Sequence, residues 1–128
     1  MIATGVPTVL ILWSGRPLIV PDLLNGATAA IAAWFPGSEG ARALSDILIG
    51  TCEPVGRLVI SWPAEIGQIP VFFGSRPTGR PFEPGNRYSL HYIDASIRPQ
   101  FPFGHGLSYG RFETRLDGVS PSVAQPGD

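Results

Sequence analysis

Thr8-Val-Leu-Ile-Leu-Trp13, closed by the turn Ser14-Gly-Arg-Pro17, is the stretch from which the fold is read. Its apolar run is continuous rather than alternating and rich in β-formers, which predicts a central strand buried on both faces of a parallel sheet. Leu18 to Leu24 reads as a short helix. Ala29 to Trp34 is rich in helix-favouring Ala, but its short length and the Phe35-Pro36-Gly37 stop predict a second strand. Ser38 offers an N-cap, Glu39 sets a negative charge at the positive end of a helix dipole, and Ala41, Leu44, Ile47 and Leu48 recur at helical spacing until Gly50. Arg57 to Trp62 predicts a third strand, stopped by Pro63. The β-α-β-α-β alternation is that of an α/β protein, a partial αβα sandwich with a mostly parallel sheet.

From Pro63 the pattern changes. Half of the 14 prolines lie between Pro63 and Pro102, periodicity fades, and a long loop-rich segment is predicted to lie over a larger partner surface. Phe112 to Leu116 is amphipathic and predicts one more strand before the Pro- and Gly-containing end of the chain.

The 128 residues fit one domain. With 44% hydrophobic and 15% charged residues and a net charge of −1, the chain is no disordered tail, and nothing favours nucleic acid or an anionic membrane as partner. A neutral small-molecule ligand suits this charge balance. All 9 cations are Arg, which excludes lysine chemistry. The single Cys52 and two His build no convincing zinc or other metal site, and Cys52 reads as a small buried or half-buried thiol. Met1 to Trp13 has no basic leader and no cleavage pattern, so no signal peptide is expected, and its apolar run is far too short to span a membrane.

Several blocks carry more specific information in their order. Ser14-Gly-Arg-Pro17 is followed by Ala33-Trp-Phe-Pro-Gly-Ser-Glu-Gly40, then Pro54-Val-Gly-Arg-Leu58, Gly67-Gln-Ile-Pro70, Arg76-Pro-Thr-Gly-Arg-Pro81 and Phe101-Pro-Phe-Gly-His-Gly-Leu-Ser-Tyr109. This series resembles glycoside hydrolase family 3, the β-glucosidase-like enzymes, over part of their second domain. Two positions depart from the family pattern: His91-Tyr-Ile-Asp94 stands where Arg-Tyr-x-Asp is common, and His105 replaces a frequent Tyr between two glycines.

The resemblance implies that residues 1–109 are the second half of the C-terminal α/β sandwich domain. Residues 110–128 would be the linker and truncated start of a fibronectin type III-like domain. It also implies retaining hydrolysis of β-glucosides, which uses two carboxylates about 5 to 5.5 Å apart. In the family the nucleophilic Asp belongs to an N-terminal barrel and the acid/base Glu to a loop upstream of the first strand seen here. No catalytic residue is therefore expected in this chain, and no cofactor. The expected partners are the barrel domain and, through the parent enzyme, a β-glucoside or oligosaccharide. Family members are often periplasmic or secreted. An alternative from another class is a non-catalytic carbohydrate-binding or interaction module.

Ser38 and Glu39 are the candidate substrate-binding residues. Glu39 lies in a Gly-flanked loop at the carboxyl end of a predicted parallel strand, where α/β ligands bind; its structural alternative is a dipole-stabilising residue bonded to loop amides. Ser38 reads first as the N-cap, and no His and Asp pattern makes it a nucleophile. Trp34 reads as core before sugar platform, while Phe72, Phe73 and Tyr88 are better placed to line a subsite. Asp22 and Asp46 read as solvated helix residues, and Asp94 as an ion-pair partner of Arg87 or Arg98.

Overall fold

A computed structural model describes residues 4–76 and 78–118. Two parallel strands, β1 (Val9–Leu12) and β2 (Ala29–Ala32), pair with Val9 opposite Ala29 and Leu12 opposite Ala32. Between them lies α1 (Pro21–Gly26), and after β2 comes α2 (Gly40–Leu48). The α/β class, with a small parallel sheet, is as read from the sequence.

Four expectations need correction. First, β1 is not buried on both faces: Val9 and Ile11 are exposed while Leu10 and Leu12 are half-buried, and β2 is its only strand partner among the described residues. Second, α1 starts at Pro21 rather than Leu18. Pro is favoured at the first helical position, where its missing N–H costs nothing and its fixed φ suits the helix.

Third, Arg57 to Trp62 adds no strand to the parallel sheet. It runs instead antiparallel to the Phe101 region, with Trp62↔Phe101 as an isolated bridge. Trp62 N donates to Phe101 O at 2.8 Å, Leu58 N to His105 O at 2.8 Å, and Gly104 N to Leu58 O at 2.7 Å. Leu58 and Trp62 thus pair through their backbones with a segment some 40 residues on, and among the described residues no third strand lies beside β1 or β2. Fourth, Phe112 to Leu116 forms no strand, since it meets no sheet edge with which to share its amides. The expected linker region beyond residue 118 lies outside the described residues.

α2 ends as predicted. Ile49 N donates to Ser45 O and Gly50 N to Ile47 O, both at 3.0 Å, and Gly50 takes φ 80°, the left-handed conformation that stops a helix. No described helix is long and apolar enough to cross a membrane.

The core centres on Trp62, which is 3% exposed. Its indole Nε1 donates to Leu18 O at 2.9 Å, and its ring lies 6.0 Å from that of Trp34. Trp62 therefore joins the turn after β1, the loop after β2 and the Phe101 run.

Candidate functional site

The loops that leave β1 and β2 emerge side by side at the carboxyl ends of parallel strands, the place where α/β sheets present ligand sites. Ala33 N continues the ladder onto Leu12 O at 2.9 Å. Beyond it Trp34 adopts φ 53°, unusual for a residue with a side chain, and turns the chain toward Phe35. The loops touch closely: a Cβ on Gly15 would lie 2.5 Å from the Phe35 ring. A Cβ on Gly40 would lie 2.5 Å from Pro36, so Gly40 lets the loop close onto the start of α2.

Ser38 and Glu39 sit on this loop, and both are exposed. Ser38 is not the N-cap. α2 starts one residue later than that role requires, so Glu39 occupies the cap position, with its backbone carbonyl accepting from Ala43 N at 3.0 Å and no side-chain capping bond. The reading of Glu39 as a side-chain ligand for loop amides finds no such hydrogen bond in the described structure. Its carboxylate is left facing solvent beside the β1 and β2 loops.

Other candidates are placed apart. Trp34 is half-buried against Trp62. Phe73 stacks on Phe103 at 4.8 Å, Phe72 is exposed, and Tyr88 carries the Arg87 guanidinium 5.2 Å above its ring. Asp94 forms no ion pair with Arg87 or Arg98: among the described residues the only ion pair is Arg115 with Glu113. Cys52 is exposed rather than buried, because it follows the end of α2, where its N–H caps Asp46 O at 3.1 Å. Among the described residues no group of three or more metal-ligating side chains gathers.

The Phe101-to-Tyr109 run is a fastening. Arg57 Nη2 donates to Ser108 Oγ at 2.8 Å, and Ser108 Oγ in turn to Pro54 O at 2.9 Å. Tyr109 donates its hydroxyl to Ile47 O at 2.6 Å, and Gly110 N donates to the Glu53 carboxylate. His105 stacks on Phe101 with centroids 4.8 Å apart. Gly104 at φ 80° makes the turn, so His between the two glycines is accommodated.

Two features escaped the sequence reading. One is a cavity of about 540 Å³ in the 82–98 loop, lined among others by Phe82, Glu83, His91, Tyr92 and Arg98; neither Ser38 nor Glu39 borders it. The other is Gln68, 2% exposed, whose amide uses all four of its hydrogen-bonding positions. Its Oε1 accepts from Ala64 N (2.7 Å) and Glu65 N (3.4 Å), and its Nε2 donates to Ser96 O (2.7 Å) and Arg98 O (3.0 Å). The Gly-Gln-Ile-Pro block marked the residue, but nothing local to it pointed to partners 28 and 30 positions away.

Comparison with known proteins gives a consistent picture. The model of the glycosyl hydrolase family 3 C-terminal domain matches residues 1–109. The periplasmic β-glucosidase of Salmonella typhimurium is 46% identical over 112 residues, covering 86% of this chain and 15% of that protein. A β-xylosidase of Formosa agariphila is 32% identical over 120 residues, covering 91% of this chain and 16% of its own length. Among solved structures, a β-glucosidase from Listeria innocua in complex with isofagomine superposes with a TM-score of 0.83 at 43% identity, covering 88% of this chain and 16% of that one. This chain thus spans about one-sixth of the relatives it matches.

Proposed function

Because this chain belongs to the glycosyl hydrolase family 3 C-terminal domain family, we propose that it works as part of a retaining β-glucosidase-like hydrolase. That enzyme cleaves O-glycosyl bonds at the non-reducing end of β-glucosides. In this reading residues 1–109 belong to the α/β sandwich domain, an N-terminal barrel supplies the nucleophilic Asp, and an upstream loop supplies the acid/base Glu. Residues 110–128 lead toward a fibronectin type III-like domain. The chain by itself, without the two carboxylates that flank the scissile bond, has no glycosidase activity.

The observation that carries this reading is the 46% identity to a β-glucosidase over most of this chain. The loop geometry supports a part for Ser38 and Glu39 in sugar binding. Both are exposed at the carboxyl ends of β1 and β2, and Glu39 is not consumed by capping. A carboxylate in that position accepts hydrogen bonds from sugar hydroxyls, and such charge-assisted bonds are stronger than neutral ones.

The test is a hybrid enzyme, the Salmonella typhimurium periplasmic β-glucosidase with its matching segment replaced by residues 1–109 of this chain. Hydrolysis of an aryl β-glucoside by the folded hybrid supports the proposal; a folded hybrid without turnover refutes it.

A further inference from the structure

We propose that Tyr109 and Glu53 form a latch that fixes where the chain leaves the α/β body, and that Gly110 is the pivot beyond which the chain swings as a tether. The inference stands on the exit geometry alone and uses no reading of the substrate.

Three consecutive residues at the end of the Phe101-to-Tyr109 run are each tied to a different point on α2 or on the segment after it. Ser108 Oγ donates to Pro54 O at 2.9 Å, the Tyr109 hydroxyl donates to Ile47 O at 2.6 Å, and Gly110 N donates to the Glu53 carboxylate. The last carbonyls of a helix have no partner within it. In α2, Ser45 O accepts from Ile49 N at 3.0 Å, Asp46 O from Cys52 N at 3.1 Å and Ile47 O from Gly50 N at 3.0 Å. A carbonyl oxygen has two lone pairs, and Tyr109 takes up the second one on Ile47. Glu53 supplies the other half of the latch, a carboxylate acceptor for a backbone amide, which is among the stronger kinds of hydrogen bond. A Cβ on Gly110 would lie 3.1 Å from Glu53 Oε1 and 3.4 Å from the Phe112 ring, so this close passage suits a residue without a side chain.

The ties stop there. Residues 111–118 are all exposed, Phe112 at 87% and Leu116 at 83%. Among the described residues their hydrogen bonds and ion pairs are confined to Arg115 with Glu113, two positions away. A segment with no bond back to the body and little buried surface opens at small cost. The change falls between residues 110 and 111, so Tyr109 and Glu53 set the direction of whatever follows.

Trypsin needs an extended stretch on both sides of the Arg after which it cuts. Cutting after Arg111 therefore requires residues 108–110 to leave their partners, whereas cutting after Arg115 does not. The test uses a hybrid of the Salmonella typhimurium enzyme that carries residues 1–118 of this chain. Glu53→Ala and Tyr109→Phe are each expected to speed the Arg111 cut by about fivefold, the loss of one hydrogen bond, because cleavage follows the population of the opened form. The Arg115 cut stays unchanged as the internal reference. Glu53→Gln keeps an acceptor oxygen and is expected to stay within about twofold of the unsubstituted hybrid. If Tyr109→Phe fails to fold, Glu53→Ala, made at an exposed residue, still decides.

An Arg111 rate unchanged in either folded latch variant overturns the proposal, as does a Glu53→Gln hybrid cut as fast as Glu53→Ala. A rise at Arg111 matched by a rise at Arg42, inside α2, is general loosening and also overturns it. If the hybrid itself does not fold, amide exchange in the 128-residue chain decides. Exchange at Gly110 N–H about fivefold or more slower than at Phe112 N–H supports the latch, and equal rates overturn it.

Discussion

Trp62 Nε1 donates to the backbone oxygen of Leu18 at 2.9 Å, across 44 residues. That single bond links the segment after α2 to the turn after β1, with the Trp34 ring against the same indole. Trp62→Phe keeps an aromatic ring but removes one of the two donors to Leu18 O, which still accepts from Val20 N at 3.1 Å. The expected cost is about 0.5–1.5 kcal/mol, the usual net worth of one hydrogen bond. It is read as a lower urea midpoint of the hybrid enzyme, and an unchanged midpoint would show that the indole N–H is dispensable.

Gly40 illustrates a helix residue chosen for space rather than propensity. Ala is ordinarily better than Gly in a helix by about 1 kcal/mol, yet a Cβ on Gly40 would lie 2.5 Å from Pro36. Gly40→Ala is therefore expected to lose about 1–3 kcal/mol through forced displacement of the loop. Gly56→Ala, where a Cβ meets nothing within 4 Å, is expected to be neutral or slightly stabilising. Equal urea midpoints for the two variants would contradict the steric account.

Ser108 passes a hydrogen bond from Arg57 to Pro54 O. Ser108→Ala breaks both links and is expected to cost about 0.5–1.5 kcal/mol for the half-buried hydroxyl, without altering kcat. A drop in kcat at unchanged stability would give the Phe101-to-Tyr109 run a chemical part that its fastening role does not include.

Glu39 tests the opposite balance. Its side chain makes no capping bond and is exposed, so Glu39→Gln should leave the urea midpoint unchanged. On the proposed function it lowers kcat/KM for an aryl β-glucoside by about tenfold, the loss of one charge-assisted hydrogen bond. A variant that is less stable but equally active would return Glu39 to a purely structural role.

The legible parts of the fold were those whose signal is local. The apolar run at β1, the Ala-rich strand stopped by Pro36 and Gly37, and the helical spacing of Leu44, Ile47 and Leu48 all announced their elements. Arg57 to Trp62 reads as extended, and it is extended, but an extended segment does not name its partner. Phe101 and His105 take it antiparallel, a choice made by contacts some 40 residues away. At the site, Glu39 was found from its loop and strand end. Ser38 reads as the N-cap, a place that a one-residue shift in helix start passes to Glu39. The 82–98 segment has no periodic pattern, and two of its carbonyls, Ser96 O and Arg98 O, are held by Gln68 from 28 and 30 positions away.

The most direct measurement is the rate of aryl β-glucoside hydrolysis by the hybrid that carries residues 1–109, compared with the parent Salmonella typhimurium enzyme and with the isolated 128-residue chain. Hydrolysis by the hybrid is expected within about tenfold of the parent, and none by the chain alone. A correctly folded hybrid with no turnover, or turnover by the isolated chain above that of its Glu39→Gln variant, would contradict it.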